Sequence, residues 1–528
     1  MSDVAETKLY VEILKLILES LSLEKTDAEG CTKFYEKLQD QFQNLHKQKL
    51  EDGFIGFLRE QYANDEEVYE LLLRYITDCT EEHITRCELM EILLSKSLRE
   101  KRNIYILWEL KKCIRAERFH LGKCPDMRED FELYQYMSNA MAETLGVSYD
   151  KIPQEERDKD CIVFTTTQFL GLRHAPTKLM LEFARIMTKQ MKKKVLIINA
   201  LKVVDEESRT IVGTKNYNEQ SYIQGKAGKF QYPYQQDTFE VYQLLIGQDN
   251  ENEIKQLVQE VYELKPWCVW HFGGIPVFAQ VLQQFTTLVY MAFNKGYPLV
   301  PADIVVNYFA ASPIENRAER NFLTEHGVLV QDIRIGLKLT ELQGDVKRTD
   351  YDIPETAFCI SIVGNRLSSD CTDKFLRLVA GAWEQERDIY VIFIGPTNEK
   401  FQKKVQSEMG DASHIRFLGE QKRLQGAIAM TDLFVNPPRV GGGAGAHLAL
   451  LEGIPIITLK NCDVASLAGD GFCYENPASL PEWIVRYKRD TAFYEEQSKA
   501  ARVKGKECEK SDEEHAAMLS SVFDLVAD

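Results

Sequence analysis

The stretch of this 528-residue chain best suited to chemistry is a run of three glycines, Gly441, Gly442 and Gly443, set between two strand-like segments. In PPRVGGGAGAHLALLEGIPIITL (437–459) a strand ends, the glycines follow, a helix opens, and Gly453 stops that helix before the next strand. Residues without a Cβ let a ligand approach the backbone closely. The first amides of the helix lack acceptors and lie at the positive end of its dipole, so the site suits a phosphate. A tight turn requiring positive φ is the plainer reading of the same glycines. SIVGNRLSS (361–369) puts Asn365 and Arg366 just after another strand, where open α/β sheets bind their ligands. A guanidinium offers a diphosphate two parallel donors, while the alternative is a surface pair with Asp370 or Asp373. Lys374, Arg439 and Lys422 are further candidate cations, each with a solvated-surface alternative. His447 lies one turn into the glycine helix, where it faces either the diphosphate or its own loop.

Two histidines are candidates for proton transfer. His174 follows a strand and opens a helix in QFLGLRHAPTKLMLEFARIM (168–187). An imidazole with an ordinary pKa of about 6.5 is suited to taking a proton near neutral pH. His271, in WCVWHFGG ahead of Gly273 and Gly274, emerges at a strand end and is expected to face the same cleft, with a structural buried histidine as the alternative. Glu315, Arg317, Glu319 and Arg320 read as i to i+4 surface pairs. No Asp-x-Asp pair stands at a suitable strand end, so neither a metal nor a cofactor is expected.

Positioning these residues takes alternating strands and helices. CIVFTTTQF (161–169), VLIINA (195–200), WCVWHF (267–272) and DIVVNYF (303–309) read as buried strands, and a helix spans roughly 179–191. Residues 205–237, polar with several tyrosines and glycines, are too long for a routine connection and read as a lid or a loop. A charged linker near 340–355 precedes a second set: FCISIVG (358–364), IYVIFIG (389–395), HIRFLG (414–419), LFVNP (433–437) and IPIITL (454–459). Two such units read as a pair of Rossmann-like domains facing a cleft, with the last helix, around 513–526, crossing back. Residues 1 to about 150 read instead as helices, with stripes at Leu9, Ile13, Leu16, Ile17 and Leu21 and at Val68, Leu71, Leu72, Tyr75 and Ile76. The expected domains are an all-α region (1–155), an N-terminal Rossmann-like domain (156–345) and a C-terminal one (346–528).

Composition narrows the function classes. Asp plus Glu number 81 against 64 Lys plus Arg, a net charge of −17, which disfavours a nucleic-acid partner. The amino terminus carries acids where a secretory signal is basic, and no run reaches the roughly 18 apolar residues of a spanning helix, so a cytoplasmic setting is expected and peripheral membrane contact stays open. The 12 cysteines are scattered without zinc spacing, and Cys161, Cys268 and Cys359 fall in strand-like runs as buried thiols.

With these residues in view, the span 160–528 resembles a nucleotide-sugar-dependent glycosyltransferase of the GT-B fold. The resemblance is carried by IRFLGEQKRLQGAIAMTDLFVNPPR, from Ile415, and by Gly453, Ile454 and Pro455. It implies a C-terminal domain that binds a nucleotide diphosphate, a UDP-sugar being favoured, through Arg366 and the 441–443 glycines. It also implies a histidine like His174 beside the hydroxyl of a protein, glycan or lipid-linked acceptor. The glutamate pair of the large retaining branch is replaced here by Val440 and Leu448, with Glu452 one turn away. The Thr, Thr and Asp of the branch resembling protein O-GlcNAc transferases are Ala444, Gly445 and Leu448. Those departures leave two rival expectations: a non-catalytic glycosyltransferase-like subunit, and a sugar-nucleotide epimerase. A P-loop hydrolase is disfavoured, because no Gly-Lys-Ser/Thr follows the glycines. The helical region is the candidate surface for a second copy or a partner subunit.

Overall fold

Apolar side chains at helical spacing build the first part of the chain, and the computed structural model shows helices at Asp3–Leu23, Ala28–Gln48, Glu51–Gln61, Glu66–Thr80, His83–Arg99, Ile104–His120 and Met127–Leu145. All residues are described except 1–2, 24–27, 81, 122–125, 173, 203–222, 224, 247–249, 275, 294–296, 308–315, 334–345, 411–412, 440 and 528. The chain divides into two compact units: residues 1–148 with 200–221 and 245–257, and residues 149–199, 222–244 and 258–528. In the first unit Ile13, Ile17, Leu72, Tyr75 and Ile76 are buried as their spacing predicts, whereas Leu71 points outward at 53% exposure. Lys111 is buried in contact with Asp130, and burial pushes its ammonium down to about 8.

Among the described residues the second unit holds two sheets. The first has eight strands: β1 (Asp158–Thr166), β2 (Lys194–Lys202), β3 (Gly228–Tyr234), β4 (Asp237–Ile246), β5 (Pro266–Phe272), β6 (Thr287–Met291), β7 (Ile304–Asn307) and β8 (Leu329–Asp332). Their order is β3-β4-β2-β1-β5-β6-β7-β8. β1 and β5 are central, and all of β5 and the last six residues of β1 are buried, as strands covered on both faces must be. The second sheet contains β9 (Phe358–Val363), β10 (Ile389–Ile394), β11 (Ile415–Gly419), β12 (Leu433–Val435), β13 (Ile456–Leu459) and β14 (Cys473–Tyr474), in the order β11-β10-β9-β12-β13-β14. Its registered pairs are all parallel.

The described part of the long polar segment is not a lid. Residues 228–234 pair antiparallel with β4, turning at Gln235, whose φ is +54°. Alternation of half-buried aromatic and exposed polar residues in GKFQYPY places this hairpin at the sheet edge. Residues 205–222 and 224 of that segment, and 340–345 of the expected linker, lie outside the described residues.

The last helix, Asp512–Ala527, returns to the first sheet. Leu519, Val522 and Val526 join Phe183, Met187 and Trp270 in one core, and Phe523 meets Trp270 edge to face at 6.0 Å. Arg185 grips Asp512 through two nitrogens at 2.6 and 2.8 Å, and Gln154 donates to the Val526 carbonyl at 2.8 Å. Truncating a fully buried leucine loses its transfer energy and leaves a cavity. Leu519→Ala is therefore expected to cost about 3 kcal/mol in urea unfolding, and a loss below about 1 kcal/mol would contradict this docking.

Candidate functional site

Glycine, arginine and asparagine at the ends of β9 and β12 assemble one structure. β12 ends at Val435, and Asn436 and Arg439 follow it. Arg439 turns inward: Nη2 donates to the Val363 carbonyl at 2.6 Å, Nε to Asn436 Oδ1 at 3.1 Å, and Nη1 to Asp370 Oδ2 at 3.1 Å. The pair is buried, with side chains 4% and 10% exposed. A Cβ on Gly364 would collide with Arg439 Nη1, and one on Gly442 would lie 2.7 Å from Nη2. Gly442 also has a φ of +91°, a conformation that L side chains rarely adopt. Both loops are thus glycine where they close over the guanidinium.

Above this clamp lies the glycine run. Gly442 caps the ten-residue helix Gly443–Glu452, and the helix's first-turn amides have no intrahelical acceptor. Arg366, 63% exposed, begins the short helix after β9, with Nη2 at 3.7 Å from Asp370 Oδ1 and 3.9 Å from where a Gly441 Cβ would stand. Asn365 beside it is exposed. Arg366, Asn365, Gly441, Gly442 and Gly443 are therefore brought to one place, and an exposed cation beside helix amides that lack intrahelical acceptors can take an anion.

Other candidates are placed differently. Arg439 is neither a surface residue nor free to meet a ligand, because protein acceptors occupy its fork. The Gly441 amide is also occupied: it donates to the buried Asp463 carboxylate at 2.8 Å. His447 is buried, and one of its nitrogens faces the backbone of Gly505 on the helix Thr491–Cys508. Burial lowers its pKa, so it serves the contact between two helices, not the glycine loop. Lys374 lies exposed on the first turn of Asp373–Gln385. Glu452 accepts from Gln425 at 2.6 Å. Arg320 bonds Asp332 of β8 at 2.5 Å in place of a partner on its own helix, and Glu315 lies outside the described residues, as does Val440.

On the first sheet, His174 caps the helix Ala175–Lys189, and its Nδ1 lies 2.9 Å from Thr177 Oγ1. The same hydroxyl oxygen accepts the Leu170 amide at 3.1 Å, so Thr177 braces both ends of the loop. Phe169 meets Tyr232 edge to face at 5.0 Å, which fixes the loop against the β3 hairpin. Burial pushes the His174 imidazole down to about 4, and Nε2 is the ring atom that Thr177 leaves available.

His271 departs from expectation. It lies within β5, 2% exposed, with Nδ1 3.0 Å from Thr165 Oγ1, and Tyr290 stacks on it at 5.4 Å. Burial pushes it down to about 3. The ring sits inside the sheet, closed to an acceptor. Sequence reasoning placed Asp370 only as a surface partner of Arg366, which it also is at 3.7 Å, and missed its buried pair with Arg439 along with Asp463, Asn436 and Thr177. The last three are polar residues just beyond a strand or in the first turn of a helix, and that position was their only signal.

Two Rossmann-like sheets with a helix returning from the second to the first define the GT-B fold. Over the whole chain the structure is similar to a point mutant of the O-GlcNAc transferase of Thermobaculum terrenum, at 13% identity, TM-score 0.52, and 100% and 98% coverage of the two chains. It is also similar to Anabaena HepE in complex with UDP and glucose, at 15% identity, TM-score 0.48, and 68% and 99% coverage. A UDP-forming trehalose-phosphate synthase of Burkholderia xenovorans gives 11% identity, TM-score 0.48, and 70% and 100% coverage. No protein-family model and no curated protein sequence matches the chain. Among the described residues no helix is long and apolar enough to cross a membrane, and no three His, Cys, Asp or Glu side chains are grouped to hold a metal ion.

Two outcomes check this site. Arg439→Met leaves the Asp370 carboxylate buried without its guanidinium, and is expected to cost about 3–5 kcal/mol in urea unfolding; a neutral result would refute the clamp. His174 and His271 are expected to remain neutral at pH 5.5 in side-chain 15N spectra, where a free histidine is mostly protonated. Unfolded chains take up those protons as pH falls below about 6.5, so both rings contribute stability at neutral pH that is progressively lost towards pH 4. Protonated His271 at pH 5.5 in the folded protein would contradict its burial.

Proposed function

We propose that the protein is a metal-independent glycosyltransferase that binds a nucleotide diphosphate sugar, a UDP-sugar being favoured, on its second sheet. The observation that carries this reading is Arg366 beside the glycine-capped helix Gly443–Glu452 at the carboxyl ends of β9 and β12. The GT-B fold supports it, since its two sheets allow donor and acceptor to be held separately. The acceptor is a protein, glycan or lipid-linked hydroxyl or amide, the setting is cytoplasmic, and the domains are 1–155, 156–345 and 346–528.

In this reading the acceptor oxygen or nitrogen attacks the anomeric carbon, and the bond from that carbon to the diphosphate oxygen breaks. The acceptor's proton passes to His174 Nε2. An imidazole held near 4 is neutral at pH 7, the form that accepts a proton, and the negative charge of a bound donor would raise its basicity towards the working range. Charge left on the diphosphate is met by Arg366 and the first amides of the glycine helix. Asn365 and Lys374 complete the donor side, and Arg439 supports it from beneath.

A second reading is favoured by a specific observation: Arg439, the Gly441 amide and His447 are all engaged within the protein, which leaves few groups for a donor. That reading is a glycosyltransferase-like subunit that binds a partner without transferring sugar. A thermal-shift panel of UDP, GDP, ADP, dTDP and CMP separates the two, because a ligand that binds only the folded state raises the melting temperature. One diphosphate is expected to stabilise the wild type by several degrees with EDTA present, and Arg366→Ala is expected to lose most of that shift. No shift with any nucleotide would refute the transferase reading and favour the subunit.

A further inference from the structure

The β3 hairpin is tied to the helix that His174 opens by one buried carboxylate. Among the described residues β3 pairs with β4 alone, at the end of the sheet, so the ladder holds the hairpin from one side only. Its second support is Glu182, two turns into the helix Ala175–Lys189 and 6% exposed, which accepts from the Tyr234 hydroxyl at 2.9 Å and from Gln235 Nε2 at 3.3 Å. Lys189 adds a half-exposed pair with Asp237 at 2.6 Å, a kind of contact that contributes little. A carboxylate as deep as Glu182 needs a countercharge, and Arg185 supplies it through Nε at 3.1 Å and Nη2 at 2.7 Å. Arg185 is itself held by Asp512, the first residue of the terminal helix. Two residues back along β3, Tyr232 lies on the same face as Tyr234 and touches the loop that leads to His174. Its ring meets Phe169 edge to face at 5.0 Å, its hydroxyl faces the Leu172 amide, and a Cβ on Gly171 would stand 3.0 Å from that hydroxyl.

We propose that Glu182 is a positioning residue for His174, holding the β3 hairpin so that Tyr232 fixes the loop leading to that histidine. The inference deepens the transferase reading and rests on it, since it is there that His174 takes the acceptor's proton. Thr177 braces the loop from the helix side, through the Leu170 amide and His174 Nδ1. Glu182 braces it from the hairpin side, through Tyr234 and then Tyr232. The terminal helix takes part as well, because Asp512 fixes the guanidinium that pairs with Glu182. Polar groups linked in a buried network strengthen one another, so a lost link is felt at its neighbours. A loop loosened on the hairpin side admits water to the His174 ring, and water favours its charged form.

The test combines amide hydrogen exchange with side-chain 15N spectra of the histidines at pH 5.5, on the full chain as wild type, Glu182→Ala, Glu182→Gln and Tyr234→Phe. Gln331→Ala is the control, because it frees the terminal helix from β8, where Gln331 donates to Ser521 at 3.2 Å, and leaves the hairpin alone. Glu182→Ala and Tyr234→Phe are expected to speed exchange of the Leu172 amide about tenfold, as one lost hydrogen bond allows, and to let His174 take up a proton at that pH. Glu182→Gln keeps an oxygen for the Tyr234 hydroxyl and is expected to return both readouts towards wild type. Gln331→Ala is expected to change Leu172 exchange by less than about twofold and to leave His174 neutral. Exchange and His174 spectra that stay as in wild type in both Glu182→Ala and Tyr234→Phe overturn the inference. So does an equal change in Gln331→Ala, since that marks a general loosening of the unit. If Glu182→Ala fails to fold, Tyr234→Phe decides alone. UDP is added to the wild type in parallel: no rise in melting temperature overturns the transferase reading, while the exchange and spectra still decide whether Glu182 positions His174.

Discussion

One buried guanidinium decides the shape of the candidate site. Arg439 reaches the end of β9, the end of β12 and the short helix after β9, and each arm of its fork ends on a fixed protein acceptor. A lysine has no such fork, and a neutral side chain would abandon Asp370 in a place where it has little water. Because Gly364 and Gly442 both close down on this side chain, the glycines there answer to packing as much as to any ligand. Arg366 touches this clamp from the surface, with Nη2 3.7 Å from Asp370 Oδ1.

The first sheet is organised by a different economy of contacts. His174 is braced by Thr177, and Phe169 packs the same loop against the β3 hairpin, so the loop is supported from two sides. The terminal helix ties the end of the chain back to this sheet through Arg185 and a shared apolar core, which makes the two sheets parts of one folded unit.

Much of this architecture was legible in the residues. Runs such as FCISIV and IYVIFI, short and rich in β-branched and aromatic residues, read as strands buried on both faces, and the glycine run between LFV and IITL marks its own strand-to-helix turn. What escaped was decided by partners distant in sequence. GKFQYPY reads as loop because its polar half faces solvent at a sheet edge, and its partner strand supplies the rest. Arg439 and His447 carry the side chains of a ligand site, and each is turned away by a residue far along the chain, Val363 for one and Gly505 for the other. His271 reads as a residue emerging at a strand end, but it lies within β5 and the sheet closes over it. Asp463 gave no local pattern, since a carboxylate at a helix start looks like any cap, and Asp370 read only as a surface partner of Arg366.

The account stands on the glycine helix and Arg366 forming an anion site on the second sheet. A crystal structure of the protein with the nucleoside diphosphate that stabilises it best tests this directly. Both phosphates are expected within hydrogen-bond reach of the Gly442 to Ala444 amides and of the Arg366 guanidinium, with Arg439 unmoved on Asp370. Diphosphate density away from this helix, or Arg439 drawn out of its buried pair to meet the ligand, would contradict it.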